Sequence, residues 1–122
     1  MYSVPPQPYQ ASMPNTRLVA RPGRVLMAEL VRYAGNGNKV TTPIEEPVAN
    51  DPNWVGKSVV MALGHSGMGG DAGHYMSFFK VNAVWWKVDT AGTGTIVREN
   101  PFVTQMGARD VMGFSINFLV FA

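Results

Sequence analysis

The sequence predicts a mainly β protein, with about six antiparallel strands and little helix. Three observations carry this. Bulky apolar runs of strand length are bounded by Gly, Asn and Pro clusters. Two of the runs are separated only by Asn82-Ala83, a spacing that demands a tight hairpin. No stretch shows the 3.6-residue period of a long amphipathic helix, and no segment repeats.

Taken in order, residues 1–23 hold five of the nine prolines and little periodicity. Proline fixes φ and removes a backbone donor, so this segment is expected to be an extended or disordered arm, able to lie along a partner. The second unit runs over 24–122. Residues 25–33 are apolar with a late alternation and read as a mostly buried strand. Gly35-Asn36-Gly37-Asn38 follows as a hairpin turn, because Asn and Gly tolerate positive φ, and Lys39-Val40-Thr41 is expected to return as a strand. Residues 42–53 carry three prolines and read as a loop crossing the surface. Strands are expected at 57–65, 74–81, 84–89, 95–98 and 114–121. Asn100-Pro101 places a cap and a first-position proline ahead of a short helical turn within 100–108.

Composition bounds the function. A chain of 122 residues is one domain at most, and 46% hydrophobic against 15% charged residues is enough to build a core. The net charge of +2 comes from scattered Lys and Arg, which argues against nucleic acid, where a basic stripe is the expected footprint. No apolar run approaches the ~18–20 residues of a membrane span. Met1-Tyr2-Ser3-Val4-Pro5-Pro6 lacks the basic and apolar blocks of a signal peptide, so a soluble intracellular protein is expected. There is no cysteine, hence no disulfide, no thiolate zinc site and no thiol nucleophile in this chain.

One constellation carries chemistry. Gly73-His74-Tyr75 opens a strand, and Trp85-Trp86-Lys87-Val88-Asp89 forms the next strand of the hairpin. With Asn82-Ala83 as the turn, His74 and Asp89 fall at the open end of the same two strands. A carboxylate beside an imidazole fixes its tautomer and stabilises the imidazolium, and the imidazole can then serve as a general base. A plainer reading is a hydrogen-bonded pair that merely satisfies two polar groups beside the sheet. His65, Asp71 and His74 have metal-ligand chemistry but no recognised spacing, so no metal and no cofactor are expected. The glycine-rich residues 64–73 suggest a phosphate cradle only superficially, since no helix follows to receive an anion. Phe78, Phe79, Trp85 and Trp86 are adjacent pairs on strands, so one of each pair is expected inside and the other outside.

These motifs resemble the C-terminal half of the ubiquitin-specific proteases. That family carries a glycine-rich loop ending in Gly-His-Tyr, followed by a Trp-aromatic-Lys-Phe-Asp-Asp segment. Here Gly73-His74-Tyr75 and Trp85-Trp86-Lys87-Val88-Asp89 match, with a departure at Thr90. His65-Ser66-Gly67 resembles the family's His-Ser-Gly. Residues 26–33, followed by Lys39-Val40-Thr41-Thr42-Pro43-Ile44-Glu45-Glu46-Pro47, resemble its Arg-Phe and Lys-Leu-x-x-Pro-Val passage. Asn117-Phe118-Leu119-Val120-Phe121-Ala122 resembles its closing strand. The motifs follow one another in register from about Arg24 onward.

The resemblance implies the sheet-rich half of an α+β papain-like cysteine-protease fold. It implies His74 as the catalytic base and Asp89 as its orienting partner. It implies that Gly73 and Tyr75 line the channel for ubiquitin's tail, and that residues 66–73, beginning with Ser66 and Gly67, form a blocking loop. The family's nucleophilic cysteine and oxyanion-hole side chain lie in a subdomain ahead of everything matched here. The expected function is therefore a non-catalytic, degenerate deubiquitinase-like module, an accessory or structural subunit in which the His–Asp pair is vestigial. Alternatives are a catalytic half-domain lending His74 and Asp89 to a cysteine-bearing partner chain, and a module that binds ubiquitin or a ubiquitin-like protein. The sheet face left open by the absent subdomain is expected to be covered by a protein partner within an oligomer or complex.

Overall fold

The computed structural model describes residues 2–4, 16–20, 25–33, 38–67, 73–88, 94–107 and 113–122, with backbone alone for 2–4, 16–20 and 53. The fold is mainly β. Its strands are β1 (Tyr2–Val4), β2 (Thr16–Ala20), β3 (Leu26–Leu30), β4 (Val59–Ser66), β5 (His74–Val81), β6 (Val84–Val88), β7 (Ile96–Arg98) and β8 (Ser115–Phe121). One short helix, α1 (Pro101–Thr104), continues into a 3-10 turn over Gln105–Gly107. The strands form a single sheet in the order β1-β2-β3-β8-β4-β5-β6-β7, and every neighbouring pair is antiparallel. The run from β3 to β8 supplies the six expected strands, and β1 and β2 extend the edge from within the proline-rich segment. No helix among the described residues is long and apolar enough to cross a membrane.

The local signals explain most of the elements. Val81 pairs with Val84, and Asn82 and Ala83 between them adopt φ of 50° and 64°, the left-handed pair that a two-residue hairpin turn requires. The Asn100 side chain accepts from the Phe102 N–H at 2.9 Å with Pro101 behind it, so α1 begins where its cap dictates. Two sequence expectations give way. Lys39-Val40-Thr41 is not a strand: a single bridge joins Tyr33 to Lys39, and Val40 N–H donates to Arg32 O at 2.6 Å. Lys39 turns inward instead, for a reason given below. The loop expected over 42–53 does not simply cross the surface, because Ile44 and Pro47 are buried within it. The Asn36-Gly37 turn lies outside the described residues.

Alternation divides the sheet into two faces. The inner face holds Leu26, Ala28 and Leu30 of β3, Val59 and Ala62 of β4, Met76 and Phe78 of β5, Trp85 of β6, and Leu119 and Phe121 of β8, all buried. A register shift at Val60 on the β4–β8 pair lets Val59 and Ala62, three residues apart, both point inward, and a second shift falls at Asn117. The 41–58 segment and α1 cover this face. Trp54 stacks on Phe121 with ring centroids 4.6 Å apart and planes 11° from parallel. Phe102 of α1 meets Trp85 at 5.8 Å, and Phe114 meets Phe78 edge-on at 6.0 Å. A Cβ at Gly64 would stand 2.5 Å from the Phe114 ring, so glycine is what lets that ring lie across β4.

Polar clamps fix the cover. The Gln105 side chain donates to Ile44 O and accepts from Ile44 N–H, closing two backbone groups of the buried loop. Glu46 accepts from Lys80 Nζ at 2.5 Å and from Trp85 Nε1 at 3.2 Å. The outer face is different. Register aligns Met27, Val120, Met61, Phe79 and Trp86 in one row across five strands, with no covering segment among the described residues.

Phe121 loses both a stacked partner and a fully buried volume when truncated. Phe121→Ala is expected to lower unfolding free energy by ~3–5 kcal/mol in urea titration, whereas Val48→Ala in the exposed loop changes it by no more than ~0.5 kcal/mol.

Candidate functional site

The sequence-predicted residues gather at one end of the β4–β5 pair. Ser66 pairs with His74 and His65 with Tyr75, so the last residues of β4 lie directly beside the first residues of β5. His74 is half-buried, and alternation puts it on the same side as Met76. Tyr75 is 52% exposed on the other side, with its ring 4.6 Å from the His65 ring. The Ser66 hydroxyl makes a long contact, 3.5 Å, to the His74 backbone carbonyl. Ser66, Gly67, Gly73, His74 and Tyr75 are thus brought together. Asp89 lies outside the described residues, as does Asp71. The β5–β6 ladder is described as far as Ser77 opposite Val88. Among the described residues, no three His, Cys, Asp or Glu gather as a metal site would need.

Gly73 is obligatory where it stands. Its φ is +122°, and a Cβ would fall 2.1 Å from Ser66 O and 2.7 Å from His65 Nε2. Gly67, at φ 99°, opens the other side of the loop. The positions flanking residues 68–72 are therefore set by backbone conformations that side-chain-bearing residues rarely adopt, and His74 follows directly from one of them.

Beneath this turn lies a polar node the sequence does not announce. Lys39 is 9% exposed, and its ammonium reaches His65 Nδ1 at 2.8 Å, His65 O at 3.1 Å, Gly67 O at 2.6 Å and Gly113 O at 2.5 Å. An ammonium has only donors, so His65 Nδ1 accepts and the neutral ring carries its proton on Nε2, toward Gly73. This network is why Lys39 leaves the strand expected of it. Its backbone pairs once with Tyr33, and its side chain then ties the end of β4, the start of the loop and the residue before Phe114 into one knot. Arg32, 3% exposed, does the same nearby, donating from Nε to Ile116 O at 2.8 Å and from Nη1 to Thr42 O at 2.9 Å. Its Nη2 is buried without a partner among the described residues.

Two cations are thus held by carbonyl oxygens rather than carboxylates. Burial, and then the charge of Arg32, lower the Lys39 pKa to about 8, and burial lowers that of Arg32 to about 10. The only sequence signal for this node was a pair of cations at the two ends of a presumed hairpin, which reads equally well as a solvated edge.

No family model matches the chain, and no curated protein is significantly similar to it.

Two outcomes follow from the node. Lys39→Met strands three carbonyls and is expected to destabilise the fold by ~2–4 kcal/mol in chemical denaturation, since each buried acceptor left unmade costs ~1–3 kcal/mol. The folded Lys39 pKa lies below the ordinary lysine value of 10.5, so between about pH 8 and 10.5 the unfolded chain binds more protons and wild-type stability rises with pH. Lys39→Met removes that rise. Gly73→Ala is expected to perturb the β4–β5 turn, read as loss of amide hydrogen-exchange protection at Ser66 and His74.

Proposed function

We propose that this chain is a non-catalytic, deubiquitinase-like module that serves as an accessory or structural subunit of a larger assembly. The observation that carries the reading is His74, presented at the head of β5 behind a glycine-locked turn, in a chain with no cysteine. A histidine so placed can accept a proton, but a thiol protease needs a thiolate for it to activate. The Ser66 hydroxyl is turned to the His74 backbone carbonyl, 3.5 Å away. The resemblance of Gly73-His74-Tyr75, Trp85-Trp86-Lys87-Val88-Asp89 and the closing strand to ubiquitin-specific proteases supports the choice of family. The apolar outer face of the sheet, where Phe79 and Trp86 are 39% and 37% exposed, supports a structural role in an assembly.

Tyr75 favours a second reading, recognition of ubiquitin's tail. It is the most exposed aromatic among the described side chains and stands beside Gly73, where an extended tail needs a channel wall.

The test is made on the complex purified from the native source. His74→Ala is expected to leave any ubiquitin-hydrolysing activity of that complex unchanged. A fall of ~10²–10⁴-fold, the usual worth of a general base, would show a catalytic half-domain instead. Titrating the isolated chain with ubiquitin while following amide shifts separates the second reading: changes confined to Ser66, Gly73 and Tyr75 support it, and none at saturating concentration removes it.

A further inference from the structure

The outer face of the sheet carries its own complement. We infer that it is a homodimer interface, in which a second copy of this chain packs face to face about a twofold axis parallel to the strands and lying between β4 and β5. This rests on the sheet's register and not on the reading of His74, so either can fail without the other.

The row Met27–Val120–Met61–Phe79–Trp86 crosses β3, β8, β4, β5 and β6 at one level. Its two halves differ in shape. On the β3–β8–β4 side, Met27, Met61, Leu63, Phe118 and Val120 line an apolar concavity of about 240 Å³. On the β5–β6 side, the rings of Phe79 and Trp86 are more than a third exposed, as Met27 is at the edge of the concavity. One half offers an apolar concavity and the other a pair of exposed aromatic rings.

A rotation about an axis parallel to the strands keeps every residue at its level while reversing the strand order. In the sheet order β1-β2-β3-β8-β4-β5-β6-β7, the axis between β4 and β5 sets β4 over the second copy's β5, β8 over its β6 and β3 over its β7, with β1 and β2 left beyond the overlap. Met61 then faces Phe79 of the other copy, and Val120 faces its Trp86. Each copy fills the other's concavity, which is the self-complementarity an isologous interface requires. Two sheets packed this way lie ~10 Å apart with strands nearly aligned, as in ordinary sandwiches.

The area is sufficient. Six strands at ~4.8 Å spacing and ~20 Å of usable length give roughly 600 Å² of face per copy, or ~1,200 Å² for the pair. That is the lower end of specific interfaces. Tyr75 and Ser77 border the row on β5, and among the described side chains charge sits at the two margins of the overlap, Glu29 of β3 beside Phe118 and Arg98 of β7 opposite Trp86. Depletion of charge at the centre with polar groups at the rim is the usual anatomy of an interface core.

The experiment is sedimentation equilibrium of the full chain from micromolar to submillimolar concentration. Wild type is expected to be a dimer, and Trp86→Glu to weaken it by at least ~30-fold, the worth of a central aromatic anchor. Val120→Lys alone is expected to do the same. Mixing the two variants is expected to restore a heterodimer, because the twofold places the new acid against the new base at one contact and leaves the native Trp86–Val120 contact at the other. Phe79→Glu mixed with Met61→Lys repeats the test at the neighbouring contact, should Val120→Lys not fold by circular dichroism. A monomer throughout the range, a dimer indifferent to Trp86→Glu, or mixtures that stay monomeric in folded pairs would overturn the inference.

Discussion

The placement of β8 between β3 and β4 is the constraint on which the rest depends. β8 pairs with β3 along one edge and with β4 along the other, and beyond its last residue Ala122 exchanges two backbone hydrogen bonds with Ser58 at 2.9 and 3.0 Å. Remove it and the sheet falls into two pieces, β1–β2–β3 and β4–β7, each with an open edge. β8 also brings Leu119 and Phe121 to the centre of the core and supplies the floor on which Trp54 stacks. Strands far apart in sequence thus depend on one late segment, a topology rich in long-range contacts and correspondingly slow to assemble.

From that strand outward, the two faces are handled differently. The inner face is closed by residues 41–58, whose regular structure is a single 3-10 turn at Pro52–Trp54, and such a segment has to find partners for its backbone. Gln105 does this for Ile44, and Glu46 holds the same loop to Lys80 and Trp85. On the polar end of the sheet Lys39 and Arg32 take over, gathering carbonyl oxygens where strands end and no ladder partner continues. The site's geometry is therefore inherited: His74 stands where it does because β4 is pinned by β8, the β4 terminus by Lys39, and the turn by Gly73.

Much of the fold was legible. Short-range chemistry spoke clearly at Asn82-Ala83 and at Asn100-Pro101, because each turn or cap is decided by two residues and little else. Alternation put one residue of Phe78–Phe79 and one of Trp85–Trp86 inside, and the structure buries Phe78 and Trp85, since each pair sits on a regular stretch of strand. It could not show the shifts at Val60 and Asn117, which depend on what the partner strand offers. Nor could it anticipate β1 and β2, where proline counting outweighed the β-forming Arg17-Leu18-Val19. Within the site, Gly73-His74-Tyr75 was readable as a strand opening after a forced turn. The node under it was not, because Lys39, His65 and the carbonyls of Gly67 and Gly113 meet only in three dimensions, and a lone lysine in sequence carries no mark of burial. Asp89 remains a reading of sequence.

The carbonyl-held cations have one more consequence. Surface ion pairs are screened by dissolved ions over about 10 Å at ~0.1 M ionic strength, whereas buried groups are screened much less. Lys39 and Arg32 are hydrogen-bonded to fixed backbone carbonyls and largely shielded from solvent, so the knot that positions the β4–β5 turn keeps its strength as salt rises. The exposed end of the molecule rests on an anchorage that ionic conditions hardly reach.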